Sequence, residues 1–222
     1  PDLFGGWQNR HTCACLHPKL GRDAMTAVYE LCAAAVVFGW CISRILRLFV
    51  PPVRSTALGY GLAAVIVLLS YSSFLTGMFT ALLAPYGVLL PALALQNSAR
   101  HLGFHTKPYS IAEMLAAFGL YLLFLMASAG VFEWDPYRYG YGGQGAAIVA
   151  VLLSGYALWR GHIVLLGVVI LAQALWLLDI ASSNLFDHLS HVLLVFILPI
   201  TILRRATQKP QPDPDGENRR AG

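Results

Sequence analysis

The feature that most constrains this chain is a succession of apolar runs of helix length, separated by short polar breaks. Seven runs can be drawn, at about 26–46, 57–74, 81–96, 108–131, 145–159, 162–178 and 185–203. A bilayer core of roughly 30 Å takes about 20 helical residues. Only 12% of the 222 residues are charged and 57% are hydrophobic, with mean hydropathy +0.62. A soluble domain carries about 25% charged residues to cover its surface. The expected fold is therefore all-α, a polytopic transmembrane helix bundle of about seven spans, and the first expected partner is the lipid bilayer.

The ends differ from the middle. Residues 1–24 are polar, lack periodicity and contain no apolar core, so they do not form a signal peptide. Met25 stands just before the first run. The segment is read as a non-native or disordered leader, with a transmembrane domain over 25–205. Residues 206–222, rich in Pro, Asp, Lys and Arg, are read as a disordered cytoplasmic tail. In the leader, His11, Cys13, Cys15 and His17 do not have zinc-site spacing. Cys32 and Cys41 fall inside an apolar helix, so no disulfide framework is expected.

Local signals punctuate the runs. Ser110 and Glu113 form a capping box, the serine taking a free backbone N–H and the glutamate reaching back. Pro85 and Pro91 are expected to kink the third span. Fused across Arg160-Gly161, runs five and six would give about 34 residues and about 50 Å of helix, too long for the core. Two helices in a hairpin fit better.

The basic residues set the orientation. With seven spans, one side collects Arg44, Arg47, Arg54, Arg100, Lys107, Arg160, Arg204, Arg205 and Lys209, while the other, from Met25 on, carries only Arg138. Basic residues stay in the cytoplasm. The C-terminus is then cytoplasmic and the protein belongs in a bacterial inner membrane. The net charge of +4 reflects this bias and not nucleic-acid binding. Trp40 and Trp159 fall near inner ends, Trp134 and Trp176 near outer ends, where indoles prefer to sit. Small residues four apart, Ala35 with Gly39 and Ala57 with Gly61, suit close helix packing.

The outer face gathers a polar cluster. Glu133, Asp135 and Arg138 lie in the loop 132–144, and Asp179 ends span six. Asn184, Asp187, His188 and His191 follow at i, i+3, i+4 and i+7, which is one face of a helix. Such a set suits a divalent metal, a proton relay or an acid–base pair. A structural reading competes with it. Asn184 is a good N-cap, Asp187 suits the helix dipole, and His188 fits an interface. His191, about 10 Å into the helix, wants a polar partner. Tyr137, Tyr139 and Tyr141 would share one face of an extended loop, or form an aromatic belt. Arg138, clasped by the surrounding carboxylates, would tie the loop to the last helix.

Familiar chemistry is absent from the sequence. There is no Walker loop, dinucleotide fingerprint, Gly-x-Ser-x-Gly elbow or His-Glu-x-x-His run. No mid-membrane His pair supports haem. No mid-membrane charge was found in a span, and Gln173 is the main strongly polar side chain there. No metal, cofactor or catalytic residue is assigned. The leading expectation is a non-enzymatic accessory or structural component of the bacterial envelope, with a membrane-protein partner. One alternative is an intramembrane enzyme or metal-handling protein using the outer Asp/His cluster. The other is a small-molecule permease working through the kinked third span.

Two motifs carry a resemblance. The run Asp135-Pro136-Tyr137-Arg138-Tyr139-Gly140-Tyr141 and the later Ser183-Asn184-Leu185-Phe186-Asp187 resemble a group of small uncharacterised inner-membrane proteins of Gram-negative bacteria. That group looks like multi-span proteins with an Asp-x-Tyr-x-x-Gly-Tyr outer loop and an Asn-Leu-Trp-Asp element before the last span. Phe186 replaces that Trp here, and His188, Ser190 and His191 stand where a Tyr and an Asp-Pro pair are expected. The resemblance implies a membrane fold, and no activity, cofactor or site residue.

Overall fold

The computed structural model describes the backbone of residues 8–70, 87–104 and 106–207, with side chains from residue 21 on, Ser70 excepted. Within these residues the secondary structure is helical, with no strand. The helices are α1 (Gln8–Leu46), α2 (Pro52–Ser70), α3 (Leu89–His101), α4 (Ile111–Ser128), α5 (Gly143–Arg160), α6 (Ile163–Leu177), α7 (Leu185–Leu189) and α8 (Leu194–Thr207), with a 3-10 turn at Tyr137–Gly140.

Four segments are long and apolar enough to cross a membrane: Gly21–Leu46, Pro52–Leu69, Ile111–Ser128 and Leu185–Thr207. Ile163–Leu177 is apolar but shorter. Large apolar side chains face outward along these helices, Leu69 being 77% and Ile163 81% exposed. A water-soluble monomer rarely carries such a surface, whereas lipid is its natural solvent.

The chain divides into two compact units. One comprises Pro1–Lys107 with Asp135–His191, the other Pro108–Trp134 with Val192–Gly222. In the second unit α4 packs against α8. Its capping box forms as expected: Ser110 Oγ accepts from the Glu113 N–H at 3.2 Å, and Glu113 Oε2 accepts from the Ser110 N–H at 2.6 Å. Pro199 lies inside α8.

In the first unit α1 crosses α2 at small residues. A side chain added at Gly39 would meet Tyr60, and one at Gly59 would come within 2.7 Å of the Ser43 backbone. Gly61, four residues from Ala57, instead faces open space. The crossing buries Ser43, Ser55 and Ala63. The serine hydroxyls donate to the carbonyls of Trp40 and Pro52 in their own helices, which satisfies polar groups that lipid or protein would leave dry. Cys32 and Cys41 are free and exposed.

Several sequence expectations change. Residues 8–24 do not break from the first span, because α1 runs unbroken from Gln8 to Leu46. Pro91 does not kink a helix. It is the third residue of α3, where a missing N–H forfeits no intrahelical bond. Pro85, the rest of the expected third span, and most of the tail lie outside the described residues. The hairpin of runs five and six does form: α5 ends at Arg160, Gly161 turns the chain at φ 71°, and α6 starts at Ile163 and packs against α5. Only glycine adopts that left-handed backbone freely.

The last span is the largest correction. Helix α7 stops at Leu189, and Ser190 is extended at φ −122° and ψ 162°. Both the Ser190 N–H and its hydroxyl bond the Phe186 carbonyl. The His188 carbonyl, which a continuing helix would offer to Val192, accepts from the Val88 N–H instead. Gly87 comes so close to the Ser190 and Asp187 carbonyls that no side chain fits there.

Candidate functional site

Where the loop after Asp135 meets the α6–α7 turn and α7, the residues of the first unit form one hydrogen-bonded knot. Its base is an apolar cluster of Val88, Ala146, Val168, Ala172, Leu175, Ile180 and Leu185. Above it the turn from α6 to α7 runs through two strained positions, Asp179 at φ 55° and Ala181 at φ 68°. A non-glycine residue pays about 1 kcal/mol or more for that conformation. The turn is pinned from α1. Thr26 Oγ1 accepts from the Ala181 N–H at 3.0 Å, and the Arg22 guanidinium meets the Asp179 carboxylate at 2.8 Å. Both partners of that ion pair are roughly half exposed, so its energetic value is small.

Asp187 is the centre. Its carboxylate accepts the Tyr137 hydroxyl at 2.7 Å and the Ser182 hydroxyl at 2.6 Å. Asn184 caps α7, its Oδ1 accepting from the Phe186 N–H at 2.9 Å. Its Nδ2 donates to the Tyr137 carbonyl at 3.0 Å, so one fully buried amide serves both the helix and the loop. Burial first, then the hydrogen bond to Asp187, pushes the Tyr137 phenol well above its ordinary range. It therefore stays protonated and keeps donating. The Trp176 indole closes the edge by donating to the Ser183 carbonyl at 3.0 Å.

His188 is fully buried, and its Nε2 lies 2.9 Å from the Ser182 carbonyl. A carbonyl only accepts, so Nε2 carries the proton. Nδ1 is then a buried lone pair with no partner among the described residues.

The loop departs from the extended strand considered above. Its Tyr137–Gly140 portion is a 3-10 turn, so the three tyrosine rings do not share a face. Tyr137 points in to Asp187. Tyr139 and Tyr141 stay 45% and 55% exposed, and Tyr141 meets Tyr137 edge-on at 5.7 Å. Gly140 lies directly against the Asn184 amide and the Phe186 ring, leaving no room for a Cβ.

The eight sequence candidates thus separate. Asp187, Asn184 and His188 share the knot, and Asp179 sits on its strained turn. Asp135 is exposed and accepts from the Tyr137 N–H, starting the 3-10 turn. Glu133 is exposed and belongs to the second unit. Arg138 is exposed, 5.7 Å from the centre of the Tyr139 ring, and among the described residues it clasps no carboxylate. His191 is buried but lies beyond the end of α7, so it does not share a helix face with Asp187 and His188. Among the described residues no three His, Cys, Asp or Glu side chains converge as a metal site.

Sequence reading missed Ser182, Thr26 and Arg22 as members. The run Ser182-Ser183-Asn184 is a signal for local side-chain bonds to backbone and could have flagged the first. It also passed over a polar group at the far end of α1. There the Trp40 indole donates to Asn97 Oδ1 at 3.2 Å, the Tyr60 and Ser98 hydroxyls meet at 2.9 Å, and Gln96 Nε2 donates to Thr106 Oγ1 at 3.0 Å. Glu30, one turn into the first span, was overlooked as well, and it is half-buried.

Fold and site together describe the class, a helical protein with four segments able to cross a membrane and an internally bonded polar knot. Compared with protein-family models, curated proteins and solved structures, the chain finds no match.

Proposed function

We propose that this chain is a non-enzymatic membrane protein of the bacterial inner membrane, an accessory or structural component of an envelope assembly. The observation that carries the reading is the state of Asp187. The carboxylate best placed for chemistry is occupied by two internal hydroxyl donors. Charge-assisted bonds of this kind rigidify. Their effect is to hold the loop so that Arg138, Tyr139 and Tyr141 face outward. Exposed Tyr and Arg on a fixed turn are typical anchors for a protein partner.

The layout of about seven crossings, with this loop outside and the C-terminus in the cytoplasm, belongs to the same proposal. Two contacts support it. Lys107 Nζ donates to the Arg160 carbonyl at 2.7 Å, and Arg205 donates to the Tyr109 carbonyl. Each joins two breaks assigned to the basic side. Along α1, Thr26 and Arg47 are 21 residues apart, about 32 Å of helix, close to the bilayer core thickness. The 15-residue α6 would cross with local thinning of the lipid.

The enzymatic alternative retains one favourable observation, the buried Nδ1 lone pair of His188 beside Asp187. The permease reading finds no kink at Pro91, and its other proline, Pro85, lies outside the described residues.

Co-purification from native membranes, after crosslinking, tests the proposal. A stable partner is expected with the unaltered chain and with His188→Gln, and is lost with Tyr139→Ala/Tyr141→Ala. Recovery of the protein alone, or retention of the same partner by the double variant, sinks the assembly role. Reporter fusions after Trp134 and after Arg205 should report opposite sides of the membrane.

A further inference from the structure

The far end of α1 presents a different problem from the knot. Between Glu30 and Glu113 the sequence contains Arg44, Arg47, Arg54, Arg100 and Lys107 and no Asp or Glu. Three of its basic groups gather where α1, α2 and α3 meet. Arg44 stands 5.7 Å from the centre of the Trp40 ring. Arg47 Nη2 reaches Thr56 Oγ1 at 3.5 Å, the limit of a hydrogen bond. Its Nε and Nη1 are buried and meet no acceptor among the described residues. The His101 imidazole, at the end of α3, is held below its ordinary value first by burial, then by the charges of Arg47 and Arg44.

A guanidinium with two buried donors unmet, among like charges and with no Asp or Glu between Glu30 and Glu113, is unfavourable as it stands. The neighbouring oxygens do not relieve it. The Thr56 hydroxyl, which donates to the Pro52 carbonyl at 2.8 Å, accepts only from Nη2, and Nε and Nη1 stay without an acceptor among the described residues. A water would supply an acceptor but leave the charge in place. An oxyanion supplies both.

We propose that Arg47, with Arg44 and His101, binds a phosphate-bearing anion at the junction of α1, α2 and α3. Two sources share this chemistry: the headgroup of an anionic phospholipid and free inorganic phosphate. Arg47 is the ligand with unmet donors, Arg44 supplies field, and the His101 imidazole supplies shape and a ring N–H. The site does not depend on the partner-binding role of the Tyr139–Tyr141 turn.

The test uses the full chain, delipidated in a neutral maltoside detergent. Phosphatidylglycerol in mixed micelles, phosphatidylcholine in mixed micelles, and inorganic phosphate are titrated separately. Intrinsic tryptophan fluorescence and the thermal midpoint are read. Saturable binding of phosphatidylglycerol without phosphatidylcholine, and without an effect of millimolar phosphate, identifies the headgroup. Binding of phosphate itself identifies the free anion. In either case Arg47→Gln should weaken binding at least tenfold. Arg54→Gln, an exposed cation at the start of α2, should leave it within twofold. Arg47→Lys, which keeps the charge and guards against misfolding, should bind better than Arg47→Gln. The proposal is overturned if neither phosphate source binds, if phosphatidylcholine binds equally, or if Arg54→Gln weakens binding as much as Arg47→Gln.

Discussion

The two polar ends of α1 make opposite use of charge. At one end Asp187 is met by Tyr137 and Ser182, and Asn184 uses both ends of its amide. At the other, Arg47 has buried donors without acceptors, and no carboxylate lies between Glu30 and Glu113. Apart from His188 Nδ1, the first cluster is closed and braces the fold. The second is open, and its chemistry calls for something from outside the chain. A polar group that is fully bonded internally argues for structure, while a buried group left unbonded argues for a ligand.

Substitutions at the two ends should therefore differ in sign as well as size. The largest effect is expected at Gly140, where a methyl group has no room beside Asn184 and Phe186. Gly140→Ala should cost about 3 kcal/mol, read as a lowered thermal midpoint in detergent. A neutral result would mean the loop is not clamped to α7. Next comes Asp187→Asn, which weakens two charge-assisted bonds and should cost about 2 kcal/mol. Faster proteolysis of the loop 132–144 should accompany it. At the open end the sign reverses. Arg47→Met removes a half-buried charge with two unmet donors and should raise stability by about 1 kcal/mol in neutral detergent. A clear loss there would show that Arg47 is satisfied within the fold. The smallest effect is expected at Ala181, whose φ of 68° suits glycine. Ala181→Gly should stabilise the turn by about 0.5 kcal/mol, and a destabilised variant would show that the strain is absent.

Local signals were legible in the sequence. The Ser110–Glu113 box, the Asn184 cap and the Arg160-Gly161 break each depend on residues within four positions of one another, and all three formed. The signals that failed depended on distant chain. Asp187 does stand in the first turn of α7, but its bond to Tyr137 was not legible because Tyr137 is 50 positions away. Nothing near Arg22 in the sequence announces its pairing with Asp179, 157 positions away. His191 was placed on a continuous helix because nothing nearby announces that Val88 will take the His188 carbonyl.

The sequence by itself determined that the chain is helical and suited to lipid. Apolar side chains in runs of helix length, with few charges, leave the backbone no other way to satisfy its polar groups in hydrocarbon. Tertiary structure alone decided which polar residues meet. It bent the loop inward at Tyr137, broke the last helix at Ser190, and left two Arg47 nitrogens buried without an acceptor among the described residues. The reason is physical: hydrogen bonds and ion pairs reach only about 3–4 Å, and the partners are brought within that distance by packing of helices far apart in the chain.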